Sequence, residues 1–211
     1  MSNGINVLVA GEDLARARGA VVMIHGRGAS AESILELAES LATAGLALLA
    51  PQAAGGAWYP YRFLAPLEQN EPALSAALAT IGAALDAVAA AGVPAERTVL
   101  LGFSQGACLA TEYAARNAQR YGGVVGLSGG LIGPDGTPRD YTGSLGETPV
   151  FLGCSDVDFH IPQARVVESA AILRGLGGNV DMRIYPGMGH TVNEDELEAV
   201  QAILDRIGAV E

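Results

Sequence analysis

Residues 98–115 read as a strand, a sharp turn and a helix with a serine at the apex, and no other stretch restricts the fold as much. The apolar run Thr98-Val-Leu-Leu101 leads into Gly102-Phe103-Ser104-Gln105-Gly106, and Ala107-Cys-Leu-Ala-Thr-Glu-Tyr-Ala-Ala115 follows with helix-forming composition. Glycines on either side of the turn let the chain reverse without a Cβ striking a neighbouring strand or helix. A nucleophilic serine needs a hydroxyl projecting from a sheet edge with backbone N–H groups beside it. Ser104 is therefore the candidate nucleophile.

The pentapeptide alone is weak, because 28 glycines in 211 residues make chance copies common. A second copy stands at Gly126-Leu127-Ser128-Gly129-Gly130. It follows a strand-like run, but Gly129-Gly-Leu-Ile-Gly-Pro134 cannot begin a helix, so Ser128 reads as loop.

Around this unit, short apolar runs alternate with helical stretches. Strands are predicted at 5–9, 20–25, 46–50, 98–101, 124–127, 149–154 and 180–185. Helices are predicted at 30–44, 71–91, 107–115, 163–176 and 194–207. Residues 52–70 and 129–148 read as irregular. Apolar strands alternating with helices imply an α/β fold, a mostly parallel sheet covered on both faces. With no repeat or linker, residues 1–211 read as a single domain with little room for a lid.

A net charge of −11 repels phosphate backbones and anionic lipid headgroups, which argues against nucleic acid or a membrane surface as partner. The first ten residues lack a basic region and a long apolar stretch, and no segment reads as a spanning helix. Cys108 and Cys154 fall on a predicted helix and strand and read as buried free thiols. A cytoplasmic location is expected, with a homodimer left open.

A serine hydroxyl needs a base, and the base needs a carboxylate to hold its tautomer. When the serine sits on such a turn, the acid and then the histidine follow it along the chain, in loops after later strands. His190, in Tyr185-Pro-Gly-Met-Gly-His190 between the last strand and the last helix, is the candidate base. Asp156 and Asp158 compete for the acid in Gly153-Cys-Ser-Asp156-Val-Asp158-Phe-His-Ile-Pro162, and spacing does not separate them. The one left over would cap or brace the turn. Two N–H donors are needed for an oxyanion; Gln105 at the helix start and Arg27 in the Gly-rich loop after the second strand are the candidates. His25 reads as a structural brace.

Taken together, His25-Gly-x-Gly, Gly102-Phe-Ser104-Gln-Gly106, Asp156-Val-Asp158-x-x-Ile-Pro162 and Tyr185-Pro-Gly-Met-Gly-His190 resemble the phospholipase/carboxylesterase family of α/β-hydrolases, which includes acyl-protein thioesterases and small carboxylesterases. The resemblance implies an α/β-hydrolase fold and a serine esterase without cofactor or metal. It carries the triad to Ser104, Asp158 and His190, and the oxyanion donors to Arg27 and Gln105. Its acid stands four residues before a proline, which selects Asp158 over Asp156. Phe159 and His160 depart from the family's usual residues after the acid, as does the segment 55–63.

That segment packs Trp58, Tyr59, Tyr61 and Phe63 into six positions, suited to an apolar pocket wall. With Phe159 and His160 they are the candidate substrate-binding residues, and Arg62 and Arg27 are candidates for an anionic substrate group. The expected partner is a small-molecule ester or thioester with a small to medium acyl group; lysophospholipase or acyl-protein thioesterase activity is the alternative. A hydrolase-fold protein that binds without turnover is the rival of another class. Dinucleotide binding at Gly26-Arg-Gly28 is disfavoured because Leu46-Ala-Leu-Leu-Ala-Pro-Gln52 supplies no acid for a ribose.

Overall fold

The computed structural model describes residues 6–208. Seven strands, β1 (Val7–Gly11), β2 (Gly19–Ile24), β3 (Leu46–Pro51), β4 (Thr98–Phe103), β5 (Gly123–Leu127), β6 (Pro149–Ser155) and β7 (Asn179–Tyr185), form one sheet in the order β1-β3-β2-β4-β5-β6-β7. Only β1 runs antiparallel to its neighbour. The predicted first strand begins at residue 5, outside the described residues.

Helix α1 (Ala31–Leu37) lies between β2 and β3, α2 (Leu67–Asn70) and α3 (Ala73–Ala90) between β3 and β4, α4 (Gln105–Arg116) between β4 and β5 and α5 (Gln163–Gly175) between β6 and β7, while α6 (Glu194–Gly208) follows β7. Strand residues alternate between two cores, as the two-residue period requires. Val22, Ile24 and Leu100 face a core shared with Leu74, Ile81 and Leu109 of α3 and α4. Val21, Met23, Val99 and Leu101 face the other, with Ile34 of α1 and Val200, Ile203 and Leu204 of α6. Burial of β2 to β5 on both faces explains why they read as continuous apolar runs.

Three expectations change. Residues 67–70, read as irregular, form the short helix α2. The helix predicted at 30–44 ends at Leu37, with a 3₁₀ turn at Ala38–Ser40, because Leu41 turns extended and the Ala42 N–H is taken by Gln201 of α6 at 2.7 Å. And α3, with a mean hydropathy of 1.7 over 18 residues, does meet the length and composition of a spanning helix. Its Leu74, Ala77, Ile81, Ala84 and Val88 stripe packs on the core, which is what gives a core helix the same composition.

Candidate active site

At the end of β4 the chain enters Ser104 at φ 56° and ψ −118°, a conformation that costs a non-glycine residue about 1–3 kcal/mol. Two bonds hold it there: the Ser104 N–H donates to the Leu127 carbonyl at 2.9 Å, and its own carbonyl accepts from Cys108 at 3.0 Å. A Cβ at Gly102 would overlap the Gly106 carbonyl, and one at Gly106 would overlap the Ile24 carbonyl. That is the physical reason for the paired glycines. Ser128 also has positive φ, 53°, but it is fully buried, its hydroxyl has no partner among the described residues, and no helix follows it.

The turn after β7 brings His190 back over the sheet. Gly187 and Gly189 adopt positive φ there, and their N–H groups donate to Asp156 Oδ1 at 2.7 Å and to Ser155 Oγ at 3.1 Å. Asp156 thus braces the histidine turn. Ser155 does the same, a role with no sequence signal beyond its place at a strand end. His190 Nε2 lies 2.9 Å from Ser104 Oγ, and Nδ1 lies 2.6 Å from Asp158 Oδ2. Oδ1 of Asp158 accepts the N–H groups of His160 at 2.8 Å and Ile161 at 3.1 Å. Burial alone would raise the Asp158 carboxyl, but the bonds from His190 and the two backbone N–H groups outweigh it and hold it below its ordinary range.

The backbone N–H groups of Arg27 and Gln105 have no acceptor among the described residues. For Gln105 this follows from its place as the first residue of α4. Their side chains meet the same segment. Gln105 Oε1 accepts from the Trp58 N–H at 2.9 Å, and its Nε2 donates to the Tyr59 carbonyl at 3.0 Å. Arg27 donates to the carbonyls of Tyr59, Pro60 and Tyr61 at 2.8, 3.0 and 2.6 Å. The Tyr59 carbonyl is therefore gripped from both sides of the serine turn.

A cavity of about 270 Å³ opens at these residues, at the small end for ligand pockets. Ser104, His190, Arg27 and Gln105 line it, with Tyr59, Phe63, His160 and Arg62 among the predicted pocket residues. Phe103, Cys108 and Ile161 also line it and were not singled out by sequence, since each reads as ordinary core. Trp58, Tyr61 and Phe159 do not line it. Trp58 is buried behind the serine turn, with Nε1 donating to the His25 carbonyl at 2.9 Å and its ring against His25. Tyr61 and Phe159 point to solvent, 56% and 76% exposed, and the Phe159 ring lies against that of His160, with centroids 4.1 Å apart.

Both His25 nitrogens are occupied by backbone, Nδ1 at 2.7 Å from the Gly26 carbonyl and Nε2 accepting from Ala53 at 3.1 Å. Burial lowers its pKa, in keeping with a neutral ring fixed in one tautomer. Burial pushes the Cys108 and Cys154 thiols up to about 12, so neither is a nucleophile near neutral pH. Among the described residues no group of three His, Cys, Asp or Glu side chains is placed to hold a metal ion.

Glu196, in the first turn of the helix that follows His190, is fully buried. Its Oε2 accepts the Asn193 N–H at 3.0 Å, while Asn193 Oδ1 accepts the Glu196 N–H at 2.9 Å, a reciprocal helix cap. Among the described residues Oε1 has no partner, and burial pushes the carboxyl up to about 7. A carboxyl raised in the folded state binds its proton more tightly there than in the unfolded chain. Its contribution is thus most favourable below the ordinary glutamate range and is lost as pH rises from about 4.5 through 7. Glu196→Gln is expected to raise Tm by a few degrees at pH 8 and to change it little at pH 5, measured by thermal melts. A lower Tm at pH 8 would overturn this account of the buried carboxyl.

A mostly parallel sheet, a strained serine between strand and helix, and a histidine and an aspartate delivered by later strands define an α/β-hydrolase. The profile of the phospholipase/carboxylesterase family matches residues 4–207, and the chain belongs to that family. A solved phospholipase/carboxylesterase from Dyadobacter fermentans is 44% identical, with a TM-score of 0.92 over 95% of this chain and 97% of that one. The solved esterase PE8 shares the fold at 24% identity and a TM-score of 0.79, covering 96% of this chain and 99% of its own. Acyl-protein thioesterase 1 of Gibberella zeae is 37% identical over 116 residues, 54% of this chain and 49% of that protein. The match thus spans about half the length of that curated relative.

Proposed function

We propose that this chain is a carboxylic ester hydrolase acting through an acyl-enzyme on Ser104, with small to medium acyl groups as substrates. One observation carries the reading: an unbroken line of hydrogen bonds from Asp158 through His190 to Ser104, at 2.6 and 2.9 Å, opening into the cavity. His190 Nε2 takes the Ser104 proton as Oγ attacks the carbonyl carbon. Nδ1–H stays bonded to Asp158, whose carboxylate stabilises the imidazolium. The N–H groups of Arg27 and Gln105 donate to the oxyanion, the second with the positive end of α4 behind it. Collapse of the tetrahedral intermediate breaks the bond to the leaving oxygen or sulfur, which takes the proton from Nε2. Water then attacks the acyl-enzyme by the same path and frees Ser104.

Thioesters fit the same chemistry, and the acyl-protein thioesterase relatives favour that second reading. The small cavity favours short acyl groups over long ones. A panel of p-nitrophenyl esters of graded chain length, an acyl-thioester and a lysophospholipid tests both, with a fluorophosphonate probe to locate the labelled residue. Labelling of Ser104 with highest kcat/KM on short esters is expected. Labelling elsewhere removes Ser104 as the nucleophile, and no turnover across the panel refutes the proposal and leaves binding without turnover as the reading.

A further inference from the structure

The cavity lining is electropositive in a chain that is otherwise strongly acidic. Arg27, Arg62 and His160 line it beside His190, and no aspartate or glutamate does, although the chain has 23 acidic residues against 12 basic ones. The nearby acid, Asp158, is buried and has both oxygens taken by His190, His160 and Ile161.

The two arginines are held by neutral groups. Arg27 is fixed by the carbonyls of Tyr59, Pro60 and Tyr61, and Arg62 Nη2 leans on the His160 carbonyl at 3.4 Å. Carbonyls position a guanidinium without cancelling its charge. Arg139, Arg165 and Arg183 are each paired with two carboxylates, whereas neither cavity arginine has one within 4.0 Å among the described residues, as is also true of Arg18, Arg97, Arg120 and Arg174 at other places. Arg27 spends both terminal nitrogens on the loop, so it supplies a fixed field. Among the described residues Arg62 keeps Nε, Nη1 and one N–H of Nη2 unspent, enough for a two-bond fork to an anionic oxygen pair.

We propose that this cavity selects esters bearing an anionic group, carboxylate or phosphate, which Arg62 binds within the field of Arg27. The inference rests on the proposed esterase reading and names the substrate class for that site. Because Arg62 and Ser104 line the same cavity of about 270 Å³, an anion on Arg62 lies close to the reacting carbonyl, on either its acyl or its alcohol side.

Two matched pairs of esters test it. Mono-p-nitrophenyl adipate against p-nitrophenyl hexanoate places the charge on the acyl side. 4-Acetoxybenzoate against its methyl ester places it on the alcohol side. In at least one pair the anionic member should have the higher kcat/KM, by about tenfold at low salt, and the preferring pair identifies the side. Arg62→Gln should bring that ratio towards one, Arg62→Lys should restore part of it, and rising salt should erode it. Should Arg62→Gln not fold, competitive inhibition of the unaltered protein by adipate, weakened by salt, decides in its place. Ratios of one or below in both pairs, or a preference insensitive to salt and to Arg62→Gln, would overturn the inference. Turnover of the neutral esters with no anionic preference sinks this inference alone, whereas no turnover of any ester sinks the esterase reading beneath it.

Discussion

Ser104→Ala is expected to lower kcat by about 10³-fold or more on any ester the protein turns over, with Tm nearly unchanged. The expected loss is large because in the proposed mechanism the hydroxyl forms the covalent bond. Without that hydroxyl, and with no other activated nucleophile among the described lining residues, water must attack directly and only the proposed oxyanion donors and substrate binding remain. Cys108 also lines the cavity, but burial holds its thiol protonated and it offers no substitute. Stability should barely move, since the Ser104 Oγ makes one bond, to His190, and the turn is held by backbone bonds that alanine keeps. The positive φ penalises alanine and serine alike. Steady-state kinetics and a thermal melt on one preparation separate the two effects. Turnover within tenfold of the unaltered protein would remove Ser104 from the mechanism.

Asp158→Asn is expected to lower kcat on the order of 10³- to 10⁴-fold, while Asp156→Asn changes it only a few-fold. The surrounding donors dictate which way the new amide must face. The N–H groups of His160 and Ile161 both point at Oδ1, so the amide oxygen must take that position. Its NH₂ then faces His190 Nδ1, which has to become the acceptor and moves the ring proton to Nε2. A histidine in that tautomer cannot accept the Ser104 proton. Asp156 by contrast is exposed and accepts one N–H, from Gly187, which an asparagine oxygen accepts as well. Equal losses from the two substitutions, or a larger one from Asp156→Asn, would reverse the roles proposed for them.

Much of the site could be read along the chain because its parts are local. The turn at Ser104 is dictated by glycines within two residues of it, and His190 follows a strand whose pattern is unmistakable at short range. The aromatic segment was harder. Four rings in six positions predict an apolar surface but not which ring faces which way. Rotation of the loop is set by Gln105 and Arg27, which bond its backbone from 47 and about 30 residues away. Those bonds turn Tyr59 and Phe63 towards the cavity and leave Trp58 behind it and Tyr61 outside.

Arg27 shows the same limit. Along the chain it reads as a candidate for an anionic substrate group, yet its guanidinium is committed to the carbonyls of Tyr59, Pro60 and Tyr61. The early end of α1 also depends on a distant partner, Gln201.

From the sequence alone came the alternation of strands and helices, the strained serine turn and the order of the reacting groups, because backbone propensity and hydrophobic period act over a few residues. Which of the two aspartates lies against His190, the facing of the aromatic rings and the gathering of two arginines at the cavity depend on tertiary structure. Those depend on which strand lies beside which, and hydrogen bonds that join residues dozens of positions apart leave no periodic trace in the chain.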